Sequence, residues 1–181
     1  MKKVIPFIIA FAMIGLMAMP AVAQQGSRTN DMDDVSDISN RWGIGYSYGW
    51  AEEDTDDLGL DQQHSVNYVK GLTRNSAFQL EAGWATDDDY EADLYSLFAD
   101  YQLRAPMERL APYVFGGIGL HNTDAKEIFD ITDNHAFRAG VGVEYFMTDQ
   151  AALNAEGIYN FEGGGDSVEY SQIRAGIRFY Y

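Results

Sequence analysis

The chain has 181 residues, 12 Lys+Arg against 28 Asp+Glu for a formal net charge of −16, and no cysteine. So acidic a chain disfavours binding to nucleic-acid phosphates, and the missing cysteine excludes disulfides and a lipidated N-terminal cysteine. The length suits one domain.

Lys2 and Lys3 form a basic start, Val4 to Met19 runs without charge, and Ala21-Val22-Ala23 places small residues ahead of Gln24. This is the layout of a Sec-type signal peptide cleaved after residue 23. A transmembrane anchor is the alternative, but the stretch is borderline for spanning and the Ala-x-Ala site favours cleavage. Taking the first 23 of the 181 residues away leaves 158 and removes two lysines, so the charge falls from −16 to −18. Residues 24–40 carry Asp31, Asp33, Asp34 and Asp37 with few apolar residues, and read as a flexible acidic lead-in.

From Arg41 onward the hydrophobic period is two, the period of a strand with one apolar face. Trp42, Ile44, Tyr46, Tyr48 and Trp50 alternate with Gly43, Gly45, Ser47 and Gly49 in the first strand. Val66, Tyr68 and Leu72 continue the pattern in the second, where Lys70 shares their parity and must snorkel toward an interface. Phe78, Leu80, Ala82 and Trp84 mark the third, and Tyr95, Leu97, Ala99, Tyr101 and Leu103 the fourth. The fifth, about Tyr113 to His121, is glycine-rich and ambiguous in parity. The sixth sets Phe137, Ala139, Val141, Val143 and Tyr145 against Arg138, Gly140, Gly142 and Glu144, and the seventh sets Leu153, Ala155, Tyr159 and Phe161 against Asn154, Glu156 and Asn160. The eighth runs from Ser171 to Tyr181, with Ile173, Ala175, Ile177, Phe179 and Tyr181 on one face and Gln172, Arg174, Gly176 and Arg178 on the other.

The connections alternate. Residues 73–76, 104–111 and 147–150 are short or proline-bearing, whereas 51–62, 86–93, 122–134 and 162–167 are mostly longer. The long loops and their flanks hold 18 of the 28 acids and one base, Lys126, while Arg74, Arg104 and Arg109 fall in the short turns. This predicts an all-β fold: an eight-stranded antiparallel up-and-down transmembrane β-barrel over residues 41–181, with short periplasmic turns and acidic extracellular loops. A soluble sandwich or lipocalin-like barrel also alternates. Eight strands, however, cannot enclose so many Trp, Tyr and Phe with room left for a ligand.

Four stretches carry a further signal: Pro112-Tyr113-Val114 with Gly116, Gly117 and Gly119, Arg138 to Tyr145 followed by Thr148-Asp149, Leu153 to Tyr159, and Gly176 to Tyr181. Together they resemble the small outer-membrane β-barrel family of OmpA-transmembrane and OmpX type, the outer membrane protein beta-barrel domain group. The resemblance implies residence in the outer membrane of a Gram-negative bacterium, among outer-membrane lipids and lipopolysaccharide. It also implies biogenesis through periplasmic chaperones and the barrel-assembly machinery. Ile173, Ala175, Gly176, Ile177, Phe179 and Tyr181 resemble the signal that this machinery reads. No peptidoglycan-binding domain follows Tyr181, so the tethering role of longer family members is not carried over.

Inward parity for Glu81, Asp100, Arg138, Glu144, Glu156, Arg174 and Arg178 predicts a paired polar plug, since a lone buried charge costs several kcal/mol. Counting from the turns places Glu156 and Arg174 at one depth on adjacent strands. No cofactor or structural metal is expected. Asp54, Asp56, Asp57, Asp87, Asp88, Asp89 and Glu91 supply oxygen donors for weak divalent-cation binding, with a solvated acidic face as the plainer reading. A lipid-modifying enzyme is disfavoured because His64 and Ser65 are adjacent and point to opposite faces; an omptin-type protease needs a larger barrel. The expected role is therefore non-enzymatic, structural or surface-interacting, with minor passage of small solutes as the alternative.

Overall fold

The computed structural model describes residues 35–53, 62–86, 94–122, 135–162 and 169–181. Eight strands lie within them: β1 (Trp42–Glu53), β2 (Gln62–Thr73), β3 (Ser76–Thr86), β4 (Leu94–Arg104), β5 (Leu110–Asn122), β6 (His135–Phe146), β7 (Ala151–Glu162) and β8 (Glu169–Tyr180). Each pairs antiparallel with the next, and β8 returns to pair with β1, so the sheet closes into a barrel in chain order. Closure gives the edge strands partners, which hydrocarbon surroundings demand because no water is there to satisfy a free N–H.

The alternation of the sequence becomes the inside and outside of the barrel. Along β2, Gln63, Ser65, Asn67, Val69 and Gly71 turn inward while His64, Val66, Tyr68, Lys70 and Leu72 turn outward. The outer surface is apolar around the wall. Ile44, Tyr68, Leu80, Ala99, Ile118, Phe137 and Phe161 fall in one register row from β1 to β7, and Ile118 is 63 % exposed. An apolar row that crosses seven of the eight strands would be a liability in water and is what lipid solvates.

The short connections hold themselves with local hydrogen bonds. Asn75 N–H donates to Thr73 Oγ1 at 3.2 Å, and Thr148 Oγ1 accepts from the N–H groups of Gln150 and Ala151 at 3.2 and 3.0 Å. In the β4–β5 turn Met107 and Leu110 exchange backbone bonds of 2.7 and 2.8 Å.

Three features depart from the sequence reading. The ambiguous parity of β5 resolves with Tyr113 and Phe115 inside the barrel, where Gly142 and Gly140 of β6 leave the space their rings occupy. Arg104 is the last residue of β4, not a turn residue, and its side chain is buried in the lumen. Finally, residues 35–40, the described end of the segment expected to be a flexible lead-in, lie across the short-turn mouth with Ile38 buried among Val69, Ala77, Ala111, Phe146, Ala152 and Tyr180. Apolar burial of Ile38 outweighs the polar composition around it. Lys70 also contributes at this rim, donating from Nζ to the Asn40 carbonyl at 2.7 Å.

The lumen is therefore layered. An apolar floor sits at the short-turn end and charged residues fill the middle. Gln63, Ser96, His121, Asn160, Tyr170 and Gln172 line the end nearest the long connections, all of them buried.

Candidate functional site

The middle layer is the most distinctive chemistry in the described residues. Glu81, Asp100, Glu144 and Glu156 supply four buried carboxylates, and Arg104, Arg138, Arg174 and Arg178 supply four buried guanidinium groups. They form one chain of alternating sign. Arg104 pairs with Glu144, Glu144 with Arg178, Arg178 with Glu156 at 3.7 Å, Glu156 with Arg174, Arg174 with Glu81 at 2.6 Å, Glu81 with Arg138 at 2.6 Å, and Arg138 with Asp100. Charges balance along it, so no member is left as the isolated buried ion that would cost several kcal/mol.

Strand geometry explains how each member reaches its partner. Glu156 and Arg174 are directly opposite on β7 and β8. Arg174 also reaches across to β3, where Nη1 and Nη2 donate to the two oxygens of Glu81, each at 2.6 Å. Gly49 and Gly45 of β1 stand beside Arg174 and Arg178 in the ladder; a Cβ at Gly45 would lie 2.6 Å from Asn67 Oδ1 and 3.2 Å from Arg178 Cγ. The small-residue face of β1 is thus the space into which the β8 arginines fold. Arg138 clasps Asp100 through Nε, at 2.8 Å, and Nη2. Its guanidinium lies 4.1 Å from the centre of the Phe98 ring, a favourable cation–π placement in a desolvated site.

Neutral groups extend the network. Gln79 Oε1 accepts from Gln102 at 2.8 Å and from Arg178 Nη2 at 3.0 Å, and its amide nitrogen donates to Glu81 at 3.1 Å. Tyr180 donates to Glu144 at 2.8 Å, Tyr113 donates to Glu156, and Asn67 accepts from Arg178 Nε at 3.0 Å. The buried carboxylates of the network are all partnered, whereas Arg104 Nε and Asn67 Nδ2 have no hydrogen-bond partner among the described residues; connected polar clusters of this kind rigidify and specify an interior.

All seven residues expected in the lumen lie in it, and all belong to the chain of pairs. The sequence reading omitted Arg104, together with the neutral partners Asn67, Gln79, Gln102, Tyr113 and Tyr180. The signal for Arg104 was present: it follows Asp100 and Gln102 at intervals of two, and the Pro106 turn masked that parity.

The residues of the C-terminal pattern occupy β8 and its end. Ile173, Ala175 and Phe179 are exposed on the outer face, Ile177 is half-buried, and Gly176 faces the lumen. Tyr181 stacks on Trp42 with ring centres 4.7 Å apart and exchanges backbone hydrogen bonds with it at 2.7 and 3.2 Å, which ties the last residue to the first strand. Asp54, Asp56, Asp57, Asp87, Asp88, Asp89 and Glu91 lie outside the described residues. Among the described residues no group of three His or acidic side chains could hold a metal.

The histidines are apart. His64 lies on the outer face, with its Nδ1 2.6 Å from the Tyr46 hydroxyl and its ring stacked on Trp84, while Ser65 points inward, 3.3 Å from Arg174 Nη1. His121 is inside, 2.9 Å from the Tyr170 hydroxyl. His135 lies edge-on to Phe137.

Solved barrels share this fold. Neisserial surface protein A matches with a TM-score of 0.59 at 17 % identity over 78 % of this chain and 97 % of its own. The N-terminal β-barrel domain of Pseudomonas aeruginosa OprF matches at 0.55 and 19 % over 79 % and 98 %, and Ail, the attachment invasion locus protein of Yersinia pestis, at 0.53 and 14 % over 80 % and 100 %. No curated protein matches the chain in sequence. A family model, that of the outer membrane protein beta-barrel domain, matches residues 9–179, and the closed eight-stranded barrel agrees with it: the chain belongs to the outer membrane protein beta-barrel domain family.

Proposed function

We propose that the protein is a non-enzymatic integral outer-membrane barrel with a structural or surface-interaction role, and that its lumen is a static plug rather than a channel. The observation that carries this reading is the alternating chain from Arg104 to Asp100, in which every buried charge has a partner of opposite sign. Opening a pore through it would separate pairs in a low-dielectric interior. Catalysis finds little support, because His64 and Ser65 occupy opposite faces of β2. Measured in planar bilayers, the refolded protein should conduct weakly or not at all, since eight strands leave an interior filled by side chains. A large, steady conductance would favour passage of small solutes instead.

The same reading extends to location and partners. Residues 1–23 act as a Sec signal peptide, and the C-terminal pattern of β8 serves the barrel-assembly machinery after delivery by periplasmic chaperones. The outer face contacts outer-membrane lipids and lipopolysaccharide. The acids of the two long connections 51–62 and 86–93 bind divalent cations weakly and collectively, because closely spaced like charges favour a bridging ion. Calcium titration at fixed ionic strength tests this: changes that monovalent salt reproduces in full would reduce the effect to screening. Comparing a deletion strain with its parent for envelope permeability and adhesion would separate a structural role from a surface one.

A further inference from the structure

We propose that residues 35–41 are a plug supplied by the chain itself, which seals the short-turn mouth of the barrel and closes the lower lumen to solvent. Six strands contribute to the socket it fills. Val69 of β2, Ala77 of β3, Ala111 of β5, Phe146 of β6, Ala152 of β7 and Tyr180 of β8 converge on Ile38, which is 0 % exposed, with Val35 packed against the same cluster. Three of the six are alanines, so the walls leave a hollow of side-chain size, and the isoleucine occupies it. Without Ile38 this apolar ring would face water at the mouth.

The backbone shows that the strap is anchored around the rim rather than laid against it. Asn40 N–H donates to the Gly71 carbonyl at 3.1 Å and Gly71 N–H donates to the Arg41 carbonyl at 2.9 Å, while Ser36 N–H donates to the Glu108 carbonyl of the β4–β5 turn at 3.1 Å. The Arg41 guanidinium donates to the Asp149 carbonyl of the β6–β7 turn and lies 5.5 Å from the Tyr180 ring centre. All three short connections or their flanks are thus engaged. Asn40 turns the chain under the mouth with φ of 63°, a left-handed conformation that asparagine tolerates better than most residues. Asp37 Oδ1 accepts from Ser39 N–H at 2.9 Å and from Ser39 Oγ at 2.6 Å, bracketing Ile38 in a local turn.

Gly71 supplies an independent observation. A glycine inside a strand weakens it and often marks a close approach of another backbone. Here a Cβ would overlap the Ile38 carbonyl oxygen and come within 2.6 Å of its carbon, so the glycine is required by the strap and not by the barrel wall. Tyr180, itself a wall of the socket, donates from its hydroxyl to Glu144, which brings the floor into contact with the start of the ion-pair chain. The plug therefore keeps water from the Arg104–Glu144–Arg178 end.

The absence of native cysteine makes the test direct. Single cysteines are placed by Ala152→Cys in the socket and by Ser96→Cys toward the opposite mouth, in the full mature chain refolded in detergent micelles, and labelled with a charged methanethiosulfonate. Each is combined with Ile38→Asp, which expels the plug, or with Gly71→Ala, which displaces its backbone. The socket cysteine should react slowly in the parent and faster by roughly tenfold or more in both variants, as local exposure of a protected site requires, with the Ser96→Cys rate unchanged. Equal socket rates with and without the substitutions would overturn the proposal. A matching rise at Ser96→Cys would also overturn it, by showing general loosening. Loss of heat-modifiable migration in both variants would make the strap part of the folding core and likewise reject a plug, whereas the same migration in the parent reports independently on the membrane barrel.

Discussion

Arg174 and Glu81 stand 93 residues apart on strands that are not neighbours, yet they meet fork to fork across the lumen, with both hydrogen bonds at 2.6 Å. Paired donors and acceptors of this kind are the strongest charge-assisted geometry available to arginine. Arg174 serves Glu156 through Nε at the same time, so one residue couples β3, β7 and β8.

Arg174→Ala should therefore be among the most damaging substitutions in the lumen, costing about 3 to 5 kcal/mol because two buried acids lose a partner. Joint replacement of Glu156 and Arg174 by neutral residues should recover part of that loss and not all of it, since Glu81 is left with Arg138. Equilibrium unfolding in urea with a double-mutant cycle measures the coupling. Strictly additive effects would dismiss the pairing.

Arg104→Met should cost less, about 1 to 3 kcal/mol. Its partner Glu144 keeps Arg178 and the Tyr180 hydroxyl. Under the same unfolding conditions, a loss equal to or above that of Arg174→Ala would contradict the graded network.

On the outer face, Ile118→Arg should destabilise the protein in bilayers by about 2 to 4 kcal/mol, the cost of a cation near the membrane midplane. Met147→Arg, in the β6–β7 turn, should fall near the interfacial cost of about 0 to 1 kcal/mol. Equal losses at both positions, measured by refolding into lipid vesicles, would mean that the apolar row is not at bilayer depth.

Tyr181→Asp should lower the assembled fraction and let misfolded precursor accumulate in the periplasm. It removes the stacking on Trp42, a kind of contact worth about 0.5 to 1.5 kcal/mol beyond burial, and sets a charge at the seam between the first and last strands. Tyr181→Phe keeps the ring and should assemble normally. Unimpaired assembly of the aspartate variant would show that the terminal aromatic carries no such information.

What the residues alone determined is what depends on neighbours two apart or on adjacent strands. Period-two alternation carries inside and outside along each strand, so the eight strands, the inward Arg138 and Glu144, and the opposition of Glu156 to Arg174 were legible from counting. Where glycine removes the contrast, as in β5, the inward placement of Tyr113 and Phe115 was not legible; the facing Gly140 and Gly142 on β6 decide it. Contacts across the lumen needed the closed barrel, because curvature and strand stagger set which depths meet. Arg174 with Glu81 and Arg104 with Glu144 follow from that geometry and from nothing in their local sequence. The placement of Ile38 is the clearest case. Its surroundings are acidic and polar, and only the assembled mouth offers the six-sided apolar socket whose burial outweighs the entropy of ordering the strap.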